Sequence, residues 1–276
     1  MRARDGEDRR LDRGKRPREN GSAMAERSWT TEALILSLTA WGESNREALF
    51  LTPDRGLQRA SVFGGAKSKL RAQVGPWQTG TLWVYTDPVK KTAKITDIDV
   101  TAWRQGIRES LVRTWCASLC AEVVTKSHGN ADWRVVNAFL DGIAVSDDDE
   151  CRRGLLRFVW RLLIGSGVNP ETGRCARCGE GISKSLRGEP FPVAFYSPHE
   201  DSFLCPACAR AEERGFPLSA PALVYLDAVE HLTPSQARAL PLDGPAYAEL
   251  RSLLFFLLTR LVQGPLKTLE TGEGIL

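Results

Sequence analysis

From Trp29 to Trp103 apolar and polar residues alternate in short, β-rich runs: Ala33 to Thr39, Ala48 to Thr52, Leu57 to Phe63, Thr81 to Thr86 and Lys94 to Val100. Successive side chains of a strand point to opposite faces, so each run predicts a strand with one buried face. The breaks carry turn chemistry: Trp41 to Asn45, Pro53-Asp54-Arg55-Gly56, Gly64-Gly65 and Asp87-Pro88. Five strands in about 75 residues predict a small barrel, most simply closed as an OB-fold, with an SH3-like barrel as the alternative.

After Trp103 the period changes from two to that of a helix. Arg104 to Lys126 carries the stripe Ile107, Leu111, Val112, Trp115, Leu119 and Val123, and further helices are predicted over Asp132 to Val145, Asp148 to Ile164, Ser219 to His231 and Tyr247 to Val262. Cys116 and Cys120 lie on or beside the first stripe and read as small hydrophobes, while Cys151 opens another helix. Asp147, Asp148, Asp149 and Glu150 stand where they cap free amides and oppose the positive end of the helix dipole, which explains them better than paired-carboxylate catalysis. In that helix Leu155, Leu156, Val159, Leu162 and Leu163 form the buried face. Arg153, Arg157 and Arg161 recur every fourth residue and form a secondary basic surface, either a solvated face or a contact for phosphate or an acidic partner. Leu253 to Leu258 is apolar all round but too short to span a membrane, and reads as a buried helix.

The expected class is therefore α+β. Residues 1–28 form a charged extension, 29–103 the OB-like barrel, and 104–276 a helical domain. Leu11 is the only large apolar residue between Met1 and Met24, so the extension is expected to stay disordered, and Met24 is a candidate start of the protein. A chain of 276 residues with 42% hydrophobic and 26% charged content can bury real cores. Its net charge of +3 is too small to imply a nucleic-acid partner, so the placement of charge must carry that argument.

Two cysteine knuckles, Cys175-Ala-Arg-Cys178 and Cys205-Pro-Ala-Cys208, change the picture most. Four thiolates at this spacing suit one tetrahedral structural zinc with no open position. The 26 residues between the knuckles exceed the simplest ribbon, so an inserted zinc subdomain, about 174–210, is expected to carry its own hairpin or helix. A metal-free degenerate knuckle and a redox site are the rival readings. Disulfides need an oxidising compartment, and no stretch at the N-terminus has the pattern of a secretory signal, so the expected location is cytoplasmic. A zinc deaminase needs a His-x-Glu upstream, which is missing; His199-Glu200 lacks the spacer.

Charge is uneven within the barrel. Between Arg55 and Thr86 there is no acid, while Arg55, Arg59, Lys67, Lys69 and Arg71 are cationic, and Lys90, Lys91 and Lys94 follow. These eight are the candidate nucleic-acid contacts, and the alternative is that rings fill the barrel and the lysines are ordinary solvated loop tips. Trp77, Trp83 and Tyr85 lie in the same segment, where a ring that faces outward offers a base a stacking surface. Gly64-Gly65-Ala66-Lys67-Ser68 lacks the glycines of a phosphate loop, and no nucleotide site or catalytic residue is expected.

The run Leu49-Phe-Leu-Thr-Pro-Asp-Arg-Gly56, then Phe63-Gly-Gly-Ala-Lys-Ser-Lys-Leu70 and Arg71, resembles the strand, tight turn and basic loop of the bacterial recombination mediator family RecO. The order of barrel, helical domain and four-cysteine insertion matches as well, over residues 29 to about 262, whereas the charged extension before Met24 and the Trp-rich barrel depart from it. The resemblance implies a non-enzymatic, nucleoid-associated DNA-repair protein of the RecF pathway. Such a protein binds single- and double-stranded DNA, anneals complementary strands without ATP, and with RecR helps RecA replace single-strand-binding protein, whose acidic, apolar C-terminal tail docks on the helical domain. A zinc-ribbon interaction scaffold without a direct DNA role is the alternative.

Overall fold

A computed structural model describes residues 27–42, 45–64, 68–182, 191–209 and 215–276. The charged extension up to residue 26, Met24 and Lys67 lie outside the described residues. Five strands, β1 (Ser28–Trp41), β2 (Asn45–Thr52), β3 (Gly56–Val62), β4 (Thr79–Asp87) and β5 (Thr92–Ala102), close a barrel in the order β1-β2-β3-β5-β4. The closure is OB-like: β1 pairs with β4 through its first half and with β2 through its second, and β3 meets β5 in parallel at Ser61 opposite Lys94. A bulge between Ile35 and Ser37 bends β1 where it changes partner. Gly80 is required in β4, because a Cβ there would lie 2.2 Å from the Asp99 carbonyl oxygen of the adjacent strand. The strands span the sequence-predicted runs, except that β3 ends at Val62, one residue short of Phe63, and extend past most of them by one to a few residues.

Alternation decides what each wall of the barrel touches. Ile35, Phe50, Val62, Leu82, Ile95 and Ile98 point inward, and the short helix α1 (Lys69–Gln73), which has no apolar period long enough to predict it, brings Leu70 and the following Val74 against them. On the outer side of β1 and β2, Leu34, Leu36, Leu49 and Leu51 belong instead to the core of the helical domain. Burying a leucine contributes about 1.5–3 kcal/mol, so this shared wall is a substantial part of what holds the two halves together.

The helical domain contains α2 (Leu111–Lys126), α3 (Trp133–Ile143) and α4 (Asp148–Gly165), then α5 (Ala220–His231), α6 (Pro234–Arg238), α7 (Gly244–Leu261) and α8 (Lys267–Thr271). A 3-10 turn over Gln105–Glu109 makes α2 start later than the apolar stripe predicts. Asp132 caps α3 by accepting from the amides of Arg134 (2.7 Å) and Val135 (3.1 Å), and Asp147 caps α4 by accepting from that of Glu150 (2.7 Å). Cys116, Cys120 and Cys151 are buried, and burial pushes their thiols up, as expected of small hydrophobes in a helical core. Among the described residues no helix is long and apolar enough to cross a membrane.

Between α4 and α5 lies the cysteine insertion, with the three-stranded sheet β7-β6-β8 formed by β6 (Ala194–Ser197), β7 (Ser202–Leu204) and β8 (Phe216–Leu218). The predicted hairpin is β6–β7. Tyr196 and Phe203 anchor it in the helical core, Tyr196 meeting Phe256 of α7 at 6.2 Å between ring centres, and Arg260 donates to Asp201 at 3.0 Å.

Candidate metal centre and nucleic-acid surfaces

The knuckles turn tightly because their amides fold back on the chain. The Gly179 amide donates to the Cys175 carbonyl at 2.9 Å, with Gly179 at φ +77, and the Ala209 amide donates to the Cys205 carbonyl at 3.0 Å. Arg177 joins the knuckles by donating to the Cys208 carbonyl and to Glu200. The four Sγ atoms of Cys175, Cys178, Cys205 and Cys208 then lie within 4.8 Å of one another, and those of Cys178 and Cys205 are 3.8 Å apart. A tetrahedron with metal–sulfur bonds of about 2.3 Å has edges of about 3.8 Å, so the donor set fits a single metal ion. The electrostatics agree. Burial pushes the Cys175 thiol up, but amides of Cys205, Cys178 and Arg177 outweigh it and bring it down to about 6, while the adjoining thiols of Cys178 and Cys205 push Cys208 up to about 12. Four thiolates this close repel one another unless a cation neutralises them.

The basic residues of the barrel form groups rather than one patch. Arg55, in the β2–β3 turn, lies 4.2 Å from the centre of the Trp29 ring, and Trp29 donates to Thr86 at 3.1 Å, so this turn and the β4–β5 turn with Lys90 and Lys91 are at the same end. Asp87 shapes the latter turn by accepting from the amides of Val89 (2.9 Å) and Lys90 (3.1 Å), which hold its carboxyl below the usual range. Arg59 projects from β3 and pairs with Glu47 at 3.0 Å. Lys94 projects from β5, 5.0 Å from the centre of the Tyr85 ring. Lys69 and Arg71 are carried on α1, next to the end of β3.

The rings separate by environment. Trp77 is partly buried against the helical core, with Arg108 over it at 5.6 Å. Trp83 does face outward, 40% exposed, but its cross-strand partners are Thr30 and Asp97, and the adjacent row holds Glu32, Thr81 and Asp99. The acid-free segment thus acquires acidic neighbours from β1 and β5, which no local charge count could reveal. Two aromatic residues outside the sequence expectations, Trp41 and Phe63, are 51% and 45% exposed and meet edge to face at 6.1 Å. Their positions at the ends of β1 and β3 were the only available signal.

The arginine stripe of α4 differs from a solvated basic face. Arg157 is buried and donates to Glu150 and to Tyr225 (2.9 Å), Arg153 pairs with Glu150 at 3.2 Å, and Arg161 donates to the Leu232 carbonyl at 3.3 Å. Glu150, read as a helix-end acid, reaches back along its own helix and also pairs with Arg238 at 3.3 Å. The physical reason is the seven-residue interval from Glu150 to Arg157, two turns on one face. Glu150, Arg157, Arg161 and Arg238 line a groove of about 360 Å³ between α3, α4 and α6, floored by the stacked Phe139 and Phe158, with Arg134 and these three arginines set against the single acid Glu150. Gly142 and Gly154 keep it open, and a Cβ on Gly142 would meet nothing within 4 Å. Small residues one turn apart, Ala138 and Gly142, were its sequence signal.

Comparison with known proteins adds an independent line. Residues 24–103 match the family model described as recombination protein O N terminal, and residues 108–270 the one described as recombination protein O C terminal. Curated relatives named DNA repair protein RecO include that of Anaeromyxobacter sp. (strain K), 29% identical over 231 residues, covering 80% of this chain and 86% of that protein. The protein of the same name from Synechococcus elongatus is 25% identical over 226 residues, covering 78% and 82%. That of Heliobacterium modesticaldum is 28% identical over 227 residues, covering 78% and 77%.

Proposed function

Because the chain belongs to the recombination protein O family, we propose that it is a DNA-binding recombination mediator in DNA repair that anneals complementary strands and helps RecA load onto single-stranded DNA. The observation that carries the reading is the two-sided barrel, with one wall buried in the helical core and cations distributed over the remainder. Lysines and arginines on loops and strand faces neutralise phosphates while leaving base edges free to find a complement. Pairing is itself downhill by about 1.4 kcal/mol per stacked step, so bringing two neutralised strands together needs neither ATP nor covalent chemistry. The protein acts in the RecF pathway with RecR, in the cytoplasm and associated with the nucleoid.

The groove between α3 and α4 is the docking site of the C-terminal tail of single-strand-binding protein. Its apolar floor and excess of arginines fit a short segment that is both acidic and apolar. The four-cysteine site holds one structural zinc, the metal that suits a closed set of thiolates. A protein-binding scaffold without DNA contact is favoured only by the acidic surroundings of Trp83.

Binding to labelled single strands across a salt series tests the reading. Changing Lys67, Lys69 and Arg71 together to Ala should lower the slope of log affinity against log salt by roughly 2, from about 0.7 per phosphate contact, with the same loss on every sequence. A change of Arg153 and Arg161 together, with the buried Arg157 left in place, is the comparison. If that variant loses the slope and the variant at Lys67, Lys69 and Arg71 keeps it, DNA lies on the helical domain. A wild-type protein without salt-dependent binding favours the scaffold.

A further inference from the structure

Among the described residues, exposed rings lie on or beside the barrel strands at three places, the Trp41–Phe63 pair, Trp83 and the lone Trp103 just after β5, and only the pair brings two rings into contact. Resting on the reading that the barrel binds DNA, we infer that Trp41 and Phe63 are the platform on which unpaired bases of single-stranded DNA stack, and that Trp83 is not. Trp41 is the last residue of β1 and Phe63 follows the last residue of β3, and β2 lies between these strands. The row Ala40, Arg46, Val62 lies one position back from both rings and faces inward with Val62, so Arg46 does not share their outward face. Ser61, two residues before Phe63 on the same outward side, is paired with Lys94. Beyond Phe63 the chain leads into α1 with Lys69 and Arg71. The nearest described acid on this side, Glu47, is taken up by Arg59 at 3.0 Å.

A single exposed ring is ordinary, whereas exposed rings in contact begin a patch that a partner can cover. Two such rings in contact, beside cations, have the composition of a single-strand platform: phosphates follow the cations while bases lie on π-faces that any sequence offers. Around Trp83 the neighbours Glu32, Asp97 and Asp99 would repel the same backbone. A duplex already stacks its bases on one another, so the platform distinguishes single strands from duplex, a selectivity that phosphate contacts alone do not supply.

The test uses the full chain with Trp41→Leu and Phe63→Leu combined, which keeps apolar surface and removes both π-systems. Affinity is measured for a labelled homopyrimidine oligonucleotide and for a duplex of equal length over a salt series. Single-strand affinity should fall about ten- to a hundredfold, with duplex affinity and the salt slope unchanged. Trp41→Tyr with Phe63→Tyr should restore most of it, and Trp83→Leu should leave it unaltered. If the double variant melts early, Trp41→Leu alone carries the comparison. Wild-type affinity in the leucine variants, equal loss on single strand and duplex, or a loss on changing Trp83 would each overturn the platform while the DNA-binding reading stands. A wild-type protein that binds neither probe would overturn that reading itself.

Discussion

Arg104 joins barrel to helices at a single side chain. It sits at φ 46, in the left-handed region, and its side chain is 4% exposed. Its guanidinium donates to the Trp77 carbonyl (2.7 Å) and Thr79 hydroxyl (2.8 Å) on the barrel side, and to Asn137 (2.9 Å) and Asp141 (2.7 Å) of α3. Its removal leaves the Trp77 carbonyl and the buried Thr79 hydroxyl without their donor and cuts the link to α3, so Arg104→Ala should lower stability by about 3 kcal/mol, and Arg104→Lys should recover little because an ammonium cannot span the fork. Denaturant unfolding measures this, and a loss below about 1 kcal/mol would mean that the leucine wall alone holds the halves together. In the sequence Arg104 looked like one more cation at the start of a helical region. Its partners lie 25 to 37 residues away, and no local pattern encodes such a convergence.

The elements were more legible than the residues between them. All five strands came from alternation, because each has one face in a core, and even the outward leucines of β1 and β2 read as strand. What alternation could not tell is that two cores share β1 and β2, since an apolar residue looks alike whichever side buries it. The knuckles were legible because each is local, and β6–β7 supplies the hairpin that the long interval demanded. Replacing Cys175 and Cys178 with Ser should remove the bound zinc and lower the thermal midpoint together, while affinity for single strands changes less, since the insertion packs on α7. Metal analysis of protein purified under reducing conditions checks the first half, and absence of zinc from the unaltered protein would count against the assignment. Acidification should release the ion as protons compete for the thiolates.

For the molecule as a whole, the proposed reading divides the work between the groove, for a protein tail, and the barrel, for a nucleic acid. Gly142→Leu should fill the groove without strain, because a Cβ there is unopposed and leucine favours the helix. Annealing of bare complementary strands, measured without nucleotide, should proceed as before. Annealing of strands coated with single-strand-binding protein should slow by about tenfold, as expected for loss of about 1.4 kcal/mol of tail binding. Equal slowing on bare strands would place DNA in the groove, and no slowing on coated strands would place the tail elsewhere.

The leucine wall bears also on how such a protein can change over time. Leu34, Leu36, Leu49 and Leu51 complete a barrel by their hydrogen bonds and a helical core by their side chains. The two halves are therefore not exchangeable modules. A barrel transferred to another helical partner would carry a strip of leucines needing a matching surface, and a helical domain given another barrel would lose part of its interior. Substitutions along the strip and those facing it must keep step, whereas the exposed cations and rings elsewhere on the barrel are outside that core and can vary independently.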